Sequence, residues 1–174
     1  MKRILQIDGG GIMGVMPSTI LAQLEKRANR PLCDCFDLIT GTSTGAIIGG
    51  AIAAGVSAKQ IASLYFDKGR DLFTKRPLWV PFVHSKYDRG PFITEIAQTQ
   101  TVNRDEQGHQ ISLGQVKLSD LNTLFMATAF NLCSRRTHFI KSWYQKDQPY
   151  PLVDVISWSA LSAAYYFGKI NRAD

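Results

Sequence analysis

Residues 35–54, CFDLITGTSTGAIIGGAIAA, decide the fold of this chain. The first part, Cys35 to Thr40, is rich in apolar residues and predicts a β-strand. The last part, Ala46 to Ala54, predicts a buried helix of small residues. Between the two lies Gly41-Thr42-Ser43-Thr44-Gly45, which has the pattern G-x-S-x-G. A strand that turns directly into a helix is typical of α/β proteins.

The G-x-S-x-G turn has a chemical meaning when a strand precedes it and a helix follows it. Such a tight turn holds its serine in a strained backbone conformation, and the flanking glycines leave space that side chains would fill. The hydroxyl then projects at the end of the sheet beside a helix N-terminus, where backbone N–H groups favour a developing oxyanion. Ser43 is therefore the candidate nucleophile.

A second glycine turn, Asp8 to Gly14 (DGGGIMG), follows a strand predicted over Arg3 to Ile7. Its spacing fits G-x-G-x-x-G, the dinucleotide-binding fingerprint, but no acidic residue ends the next predicted strand. Alternatively, the amides of Gly9, Gly10 and Gly11 converge as an oxyanion hole, or the turn binds nothing. Its pairing with the serine turn favours the oxyanion hole.

The rest of the chain alternates between helices and strands. Periodicity predicts helices and two adjacent strands, and it leaves residues 100–116 as an exposed polar excursion. The helices are expected over Val15–Arg30, Ser57–Phe73, Phe92–Thr99 and Val153–Ala164, and the strands over Leu124–Leu132 and Thr137–Lys141. This order predicts an α/β fold, a three-layer α/β/α sandwich with a mainly parallel central sheet.

The composition excludes a disordered chain, and the net positive charge is concentrated in one segment. The 174 residues are 45% apolar, and 20 Lys and Arg against 14 Asp and Glu give a net charge of +6. Residues 68–89 contain six basic and two acidic residues, interleaved with Trp79, Phe82 and Tyr87. Such a segment suits an anionic surface, either phospholipid headgroups or nucleic acid. It is equally consistent with a solvated loop whose aromatic rings pack inward.

Several other features argue for a reduced, cofactor-free protein. The three cysteines are not spaced as in a disulfide-bonded protein, and the first residues contain no signal-peptide core. Together these two features predict a cytoplasmic protein. The uncharged run between Asp37 and Lys59 is too rich in glycine and hydroxyl residues to span a membrane. No metal-binding spacing is present, so no metal and no cofactor is expected. The isolated histidines receive no catalytic role; they are His84, His109 and His138.

Three motifs together resemble the patatin-like phospholipase family. They are the DGGGxxG run, the GTSTG turn about thirty residues later, and the segment Ser157–Phe167. The resemblance implies a patatin-like fold and a serine lipid acyl hydrolase of phospholipase A type, which uses a Ser-Asp dyad. It makes Ser43 the nucleophile and Gly9, Gly10 and Gly11 the oxyanion-hole glycines. It implies a phospholipid or another acyl-ester lipid as substrate, possible docking of residues 68–89 on an anionic membrane, and no nucleic-acid partner.

Two departures from the family pattern affect this interpretation. Tyr165 stands where the family has a proline, and no Asp-Gly-Gly or Asp-Gly-Ala motif follows Phe167. Asp174 has no glycine after it, so the catalytic aspartate is left unassigned. We expect residues 1–174 to form one patatin-like domain, truncated at its C-terminal end. The alternatives are an impaired member that binds lipid or a partner without turnover and, more weakly, a dinucleotide-binding module.

Overall fold

The computed structural model describes residues 1–72, 90–131, 133–144 and 150–170. In chain order its elements are β1 (Ile4–Ile7), α1 (Val15–Ala28), β2 (Leu38–Thr42), α2 (Thr44–Ala53), α3 (Ala58–Leu72), α4 (Gly90–Gln98), β3 (Gln100–Arg104), β4 (Gln110–Ser112), β5 (Leu124–Asn131), β6 (Arg136–Lys141) and α5 (Leu152–Ile170). Helices flank the main sheet, which confirms the predicted α/β sandwich.

The main sheet is mixed, with mostly parallel strands. Its order is β1-β2-β5-β6, in which β1, β2 and β5 run parallel and β6 returns antiparallel beside β5. Ile7 pairs with Gly41, and Thr42 pairs with Thr128. Because parallel strands end at the same edge of a sheet, this register brings the glycine turn after β1 beside the serine turn after β2.

Helix α2 is the centre of the core. All ten of its residues are buried, and its small residues allow close approach to the sheet. A methyl group added at Gly49 would meet Ile39 at 3.0 Å, and one added at Gly50 would meet Ile156 of α5 at 2.9 Å. Helices α2 and α5 therefore pack directly on β2 and β5 and on each other.

Most predicted elements are confirmed, and their ends shift. Strand β2 begins at Leu38 rather than Cys35, because residues 32–34 form a 3₁₀ turn before it. Helix α5 begins at Leu152 and continues to Ile170, beyond the predicted end. No helix in the described ranges is both long enough and apolar enough to cross a membrane.

The exposed excursion predicted for residues 100–116 is confirmed only in part, because most of these residues are exposed but a hairpin and three buried side chains were not expected. The segment contains the β3–β4 hairpin, whose Thr101 is buried and donates its hydroxyl to the Ile111 carbonyl at 2.9 Å. The Val102 amide donates to the Gly55 carbonyl at 3.0 Å, which joins the hairpin to the end of the α2 region. Because the segment is polar in composition, its sequence did not indicate that Leu113 and Val116 are buried.

The basic segment, residues 68–89, lies largely outside the described residues. Its first part continues α3 to Leu72, and Lys68 forms an ion pair with Glu95 of α4. Residues 73–89 are not described, so the proposed contact with an anionic surface stays a prediction.

Asp37 joins the beginnings of β1 and β2, and we expect its contribution to stability to depend on pH. Its carboxylate accepts the Arg3 amide at 2.7 Å, and this hydrogen bond, with Lys2 nearby, lowers the pKa of Asp37. A lowered carboxyl pKa stabilises the fold above the unfolded-state pKa, and the effect is lost as pH falls through the folded-state pKa. Asp37→Asn should lower the thermal midpoint at pH 7, and the difference from the wild type should close at an acidic pH below the folded-state pKa of Asp37.

The matched control for this pH dependence is Asp67→Asn. Asp67 is exposed on α3, and its replacement should change the midpoint little at either pH. An Asp37→Asn deficit of the same size at both pH values would contradict the prediction.

Candidate active site

Ser43 occupies the junction between β2 and α2 in a strained backbone conformation. Its φ of 55° and ψ of −123° lie in a region that L-residues with side chains rarely adopt. Such a conformation costs about 1–3 kcal/mol and persists only where the surrounding structure enforces it. The strain that the sequence pattern predicts is therefore present at the predicted serine.

The two glycines of the turn are required by close backbone contacts. A Cβ at Gly41 would lie 2.2 Å from the Gly45 carbonyl oxygen. A Cβ at Gly45 would lie 2.0 Å from the carbonyl oxygen of Ile7, at the end of β1. Real Cβ atoms do not approach backbone atoms so closely. Only glycine at these two positions therefore allows the turn to pack against β1 and its own two ends to approach each other.

Ser43 is held on both sides by hydrogen bonds. Its carbonyl accepts the amides of Ala46 at 2.9 Å and Ile47 at 3.1 Å, in the first turn of α2. Its own amide donates to the hydroxyl of Ser159 at 2.9 Å. Ser159 is fully buried on α5 and donates in turn to the Thr128 carbonyl at 2.6 Å.

The glycine loop after β1 lies against the serine turn. A Cβ at Gly9 would lie 3.0 Å from the Thr42 carbonyl oxygen and 3.1 Å from the Ser43 Cβ. A Cβ at Gly10 would meet only the Met13 side chain, at 3.5 Å, and one at Gly11 would meet nothing within 4 Å. Gly9 is thus the loop glycine in closest contact with the candidate nucleophile.

Thr44 fastens the loop to the start of α2. It is buried, and its hydroxyl donates to the Gly11 carbonyl at 2.9 Å. Gly11 adopts a positive φ of 58°. The bond joins the glycine loop directly to the residue that follows Ser43.

Comparison with known proteins decides the family. The model of the patatin-like phospholipase family matches residues 5–171. The chain belongs to that family. The match spans both glycine turns and α5, and it does not favour the dinucleotide-binding alternative.

Curated relatives of this patatin-like chain include bacterial and plant proteins. It is 29% identical to a cGAMP-activated phospholipase of Escherichia coli (strain TW11681), over 94% of this chain and 47% of that protein. It is 30% identical to patatin group A-2 of Solanum tuberosum, over 96% of this chain and 43% of that protein. The chain thus spans about half the length of these relatives.

Among solved structures, the patatin-like chain is similar in fold to VipD from Legionella pneumophila. The TM-score is 0.52 at 11% sequence identity, and the similarity covers 92% of this chain and 42% of VipD. At this identity the likeness concerns the fold alone.

The acidic groups considered for the site make contacts of their own. Asp8 opens the glycine loop, and its carboxylate accepts the Gln6 side-chain amide at 3.3 Å. Asp37 lies at the opposite end of β2 from Ser43, where it is structural, and Asp174 is outside the described residues.

The described histidines lie away from β2, whereas Tyr65 lies beside Thr44. His138 is exposed on β6, with β5 between it and β2, and exposed His109 contacts Asp105 at 3.3 Å. His84 is outside the described residues. Burial raises the pKa of Tyr65 and neighbouring Thr44 lowers it less, so the Tyr65 phenol stays protonated at neutral pH and is no base there.

The described residues show no group of three or more His, Cys, Asp or Glu side chains that could hold a metal ion. Cys33 and Cys35 are buried free thiols, and Cys133 is an exposed one. Burial, together with the charge of Asp34, raises the pKa of the Cys33 thiol. Cys33 is therefore a protonated core residue at neutral pH rather than a reactive thiolate.

Three residues of the site were missed by sequence reasoning. Ser159, Thr128 and Thr44 make the polar contacts that fix Ser43 and the loop. Ser159 stands in the segment that carries the family resemblance, yet its pattern does not say which serine turns inward. A partner 116 positions away becomes visible only in the folded chain.

Proposed function

We propose that this chain carries the nucleophile and oxyanion hole of a serine lipid acyl hydrolase of phospholipase A type. The observation that carries the proposal is the strained Ser43, packed against Gly9 of the glycine loop. Family membership supports lipid acyl hydrolysis in general. The roles of Ser43, Gly9, Gly10 and Gly11 are the finer part of the proposal.

The proposed reaction has two stages. The Ser43 oxygen attacks the ester carbonyl, and the carbonyl oxygen becomes an oxyanion that accepts hydrogen bonds from the loop amides. Collapse of this intermediate breaks the acyl C–O bond, releases the lipid alcohol with a proton, and leaves an acyl-serine ester. Water then attacks the ester, which releases the fatty acid and restores the Ser43 hydroxyl.

The serine proton must pass to a base at the first step, because a neutral hydroxyl is a poor nucleophile. The family resemblance implies an aspartate for this role. We leave this aspartate unassigned; Asp37 lies at the opposite end of β2 from Ser43, and the Asp8 carboxylate accepts the Gln6 side-chain amide.

The proposed substrate is a phospholipid or another acyl-ester lipid presented at a membrane. The charge of residues 68–89, six basic against two acidic side chains, supports peripheral contact with an anionic surface. Because the lipid is held in a bilayer, such contact would raise the local concentration of substrate at the site.

A fluorophosphonate probe tests the nucleophile directly. The phosphorus reacts with an activated serine, the serine oxygen displaces fluoride, and the product carries a stable mark. We expect the native chain to be labelled at Ser43, as located by peptide mass spectrometry, and heat-denatured chain to remain unlabelled. Ser43→Ala should remove the label completely.

The control for this experiment is Ser57→Ala, which changes a serine outside the two glycine turns and should leave labelling unchanged. An unlabelled native chain, or a label that persists in Ser43→Ala, would refute the assignment. Stabilisation of the unlabelled chain by NAD would support the dinucleotide-binding alternative instead.

A further inference from the structure

Ser159 connects three elements through one hydroxyl group. It belongs to α5, it is 0% exposed, and its oxygen lies 2.9 Å from the Ser43 amide nitrogen. The same hydroxyl donates to the Thr128 carbonyl of β5 at 2.6 Å. Both its donor and its acceptor capacity are therefore used, and each partner is a backbone group.

We propose that Ser159 is the positioning residue that sets the orientation of the nucleophile, an inference that rests on the proposed function. Ser43 is strained, and a strained residue relaxes unless neighbouring groups hold it. The first turn of α2 holds the Ser43 carbonyl, but nothing on β2 or α2 holds its amide. Ser159 supplies that second constraint from a different layer of the fold.

Fixing both peptide planes of Ser43 fixes the direction of its Cα–Cβ bond. The amide bond to Ser159 fixes the plane between Thr42 and Ser43, and the α2 turn fixes the following plane. With both planes held, the side chain projects beside Gly9, where the oxyanion donors are proposed to lie. Misplacing a reacting atom by about 1 Å can reduce a rate by about 100-fold.

The hydroxyl of Ser159 is suited to this position because it must accept one bond and donate another. Alanine would remove the acceptor of the Ser43 amide and the donor to the Thr128 carbonyl at a partly buried place. The peptide would then be free to turn toward a less strained conformation. The expected effect is therefore a slower chemical step at Ser43, in addition to any general loss of stability.

Ser157 provides a matched control on the same helix. Its hydroxyl donates to the Val153 carbonyl at 2.6 Å, so its hydrogen bond stays within α5. Ser157→Ala removes the same atom from the same element. It should leave both α5 and Ser43 essentially unchanged, because alanine is a good helix former.

The experiment measures fluorophosphonate labelling as a function of probe concentration for the wild type, Ser159→Ala and Ser157→Ala. Each chain is first shown to be folded by circular dichroism at the assay temperature. We expect Ser159→Ala to lower the maximal labelling rate about tenfold or more, with the half-saturating probe concentration unchanged. Ser157→Ala should match the wild type in both quantities.

A second variant keeps the test decisive if Ser159→Ala does not fold. Ser159→Cys has nearly the same shape, but its thiol is a weak donor and acceptor, so it should also lower the maximal rate. Equal labelling rates in the wild type and in the folded Ser159 variant would overturn the inference. Failure of the wild type itself to label would instead refute the proposed function, which separates the two conclusions.

Discussion

Alanine at position 45 should prevent this chain from reaching a stable native state. The added Cβ would lie 2.0 Å from the Ile7 carbonyl oxygen and 2.8 Å from that of Asp8. Both contacts are with backbone, which cannot rotate away as a side-chain end can. The turn must therefore separate from β1, and we expect a loss of about 4 kcal/mol or more in the free energy of unfolding.

The matched control is the same substitution one turn further along α2. Gly49→Ala places its Cβ 3.0 Å from the Ile39 Cγ2 and 3.5 Å from the Phe125 ring, which are side-chain atoms able to give way. Alanine also gains about 1 kcal/mol of helix propensity over glycine. Urea unfolding should show Gly49→Ala within about 1 kcal/mol of the wild type. A Gly45→Ala chain that unfolds at the wild-type urea concentration would contradict the packing of these two turns.

Replacing Gly9 by alanine should lower the rate of Ser43 labelling about 100-fold. The new Cβ would lie 3.0 Å from the Thr42 carbonyl oxygen and 3.1 Å from the Ser43 Cβ, so the loop must move away from the serine. Moving the loop also moves the amides proposed to stabilise the oxyanion. Loss of one such donor costs about 10²–10³-fold in rate in a serine hydrolase.

Gly10→Ala is the comparison that isolates this effect. Its Cβ would meet only the Met13 side chain at 3.5 Å, which is an ordinary contact. We expect Gly10→Ala to label at least tenfold faster than Gly9→Ala in the same assay. If the two variants label equally, the close contact between Gly9 and Ser43 does not matter for the chemistry.

The strands and the serine turn could be predicted because their signals are local. An apolar run followed by G-x-S-x-G predicts the junction of β2 and α2, since backbone sterics alone require glycine there. The partial error over residues 100–116 has the opposite origin. The hairpin is polar in sequence and mostly exposed, and only the folded chain shows that its Thr101 is buried beside the bond from the Val102 amide to the Gly55 carbonyl.

The sequence by itself determined the two glycine turns, the candidate nucleophile and the order of the elements other than the β3–β4 hairpin. Each of these features depends on the steric and chemical character of residues that are neighbours in the sequence. Only the tertiary structure decided that Gly9 rests on Ser43 and that Ser159 of α5 holds its amide. Parallel pairing of β1 with β2, and packing of α5 on β5, bring together groups that are far apart in sequence. Such contacts leave no periodic pattern in the chain, because a hydrogen bond between layers depends on where the layers meet.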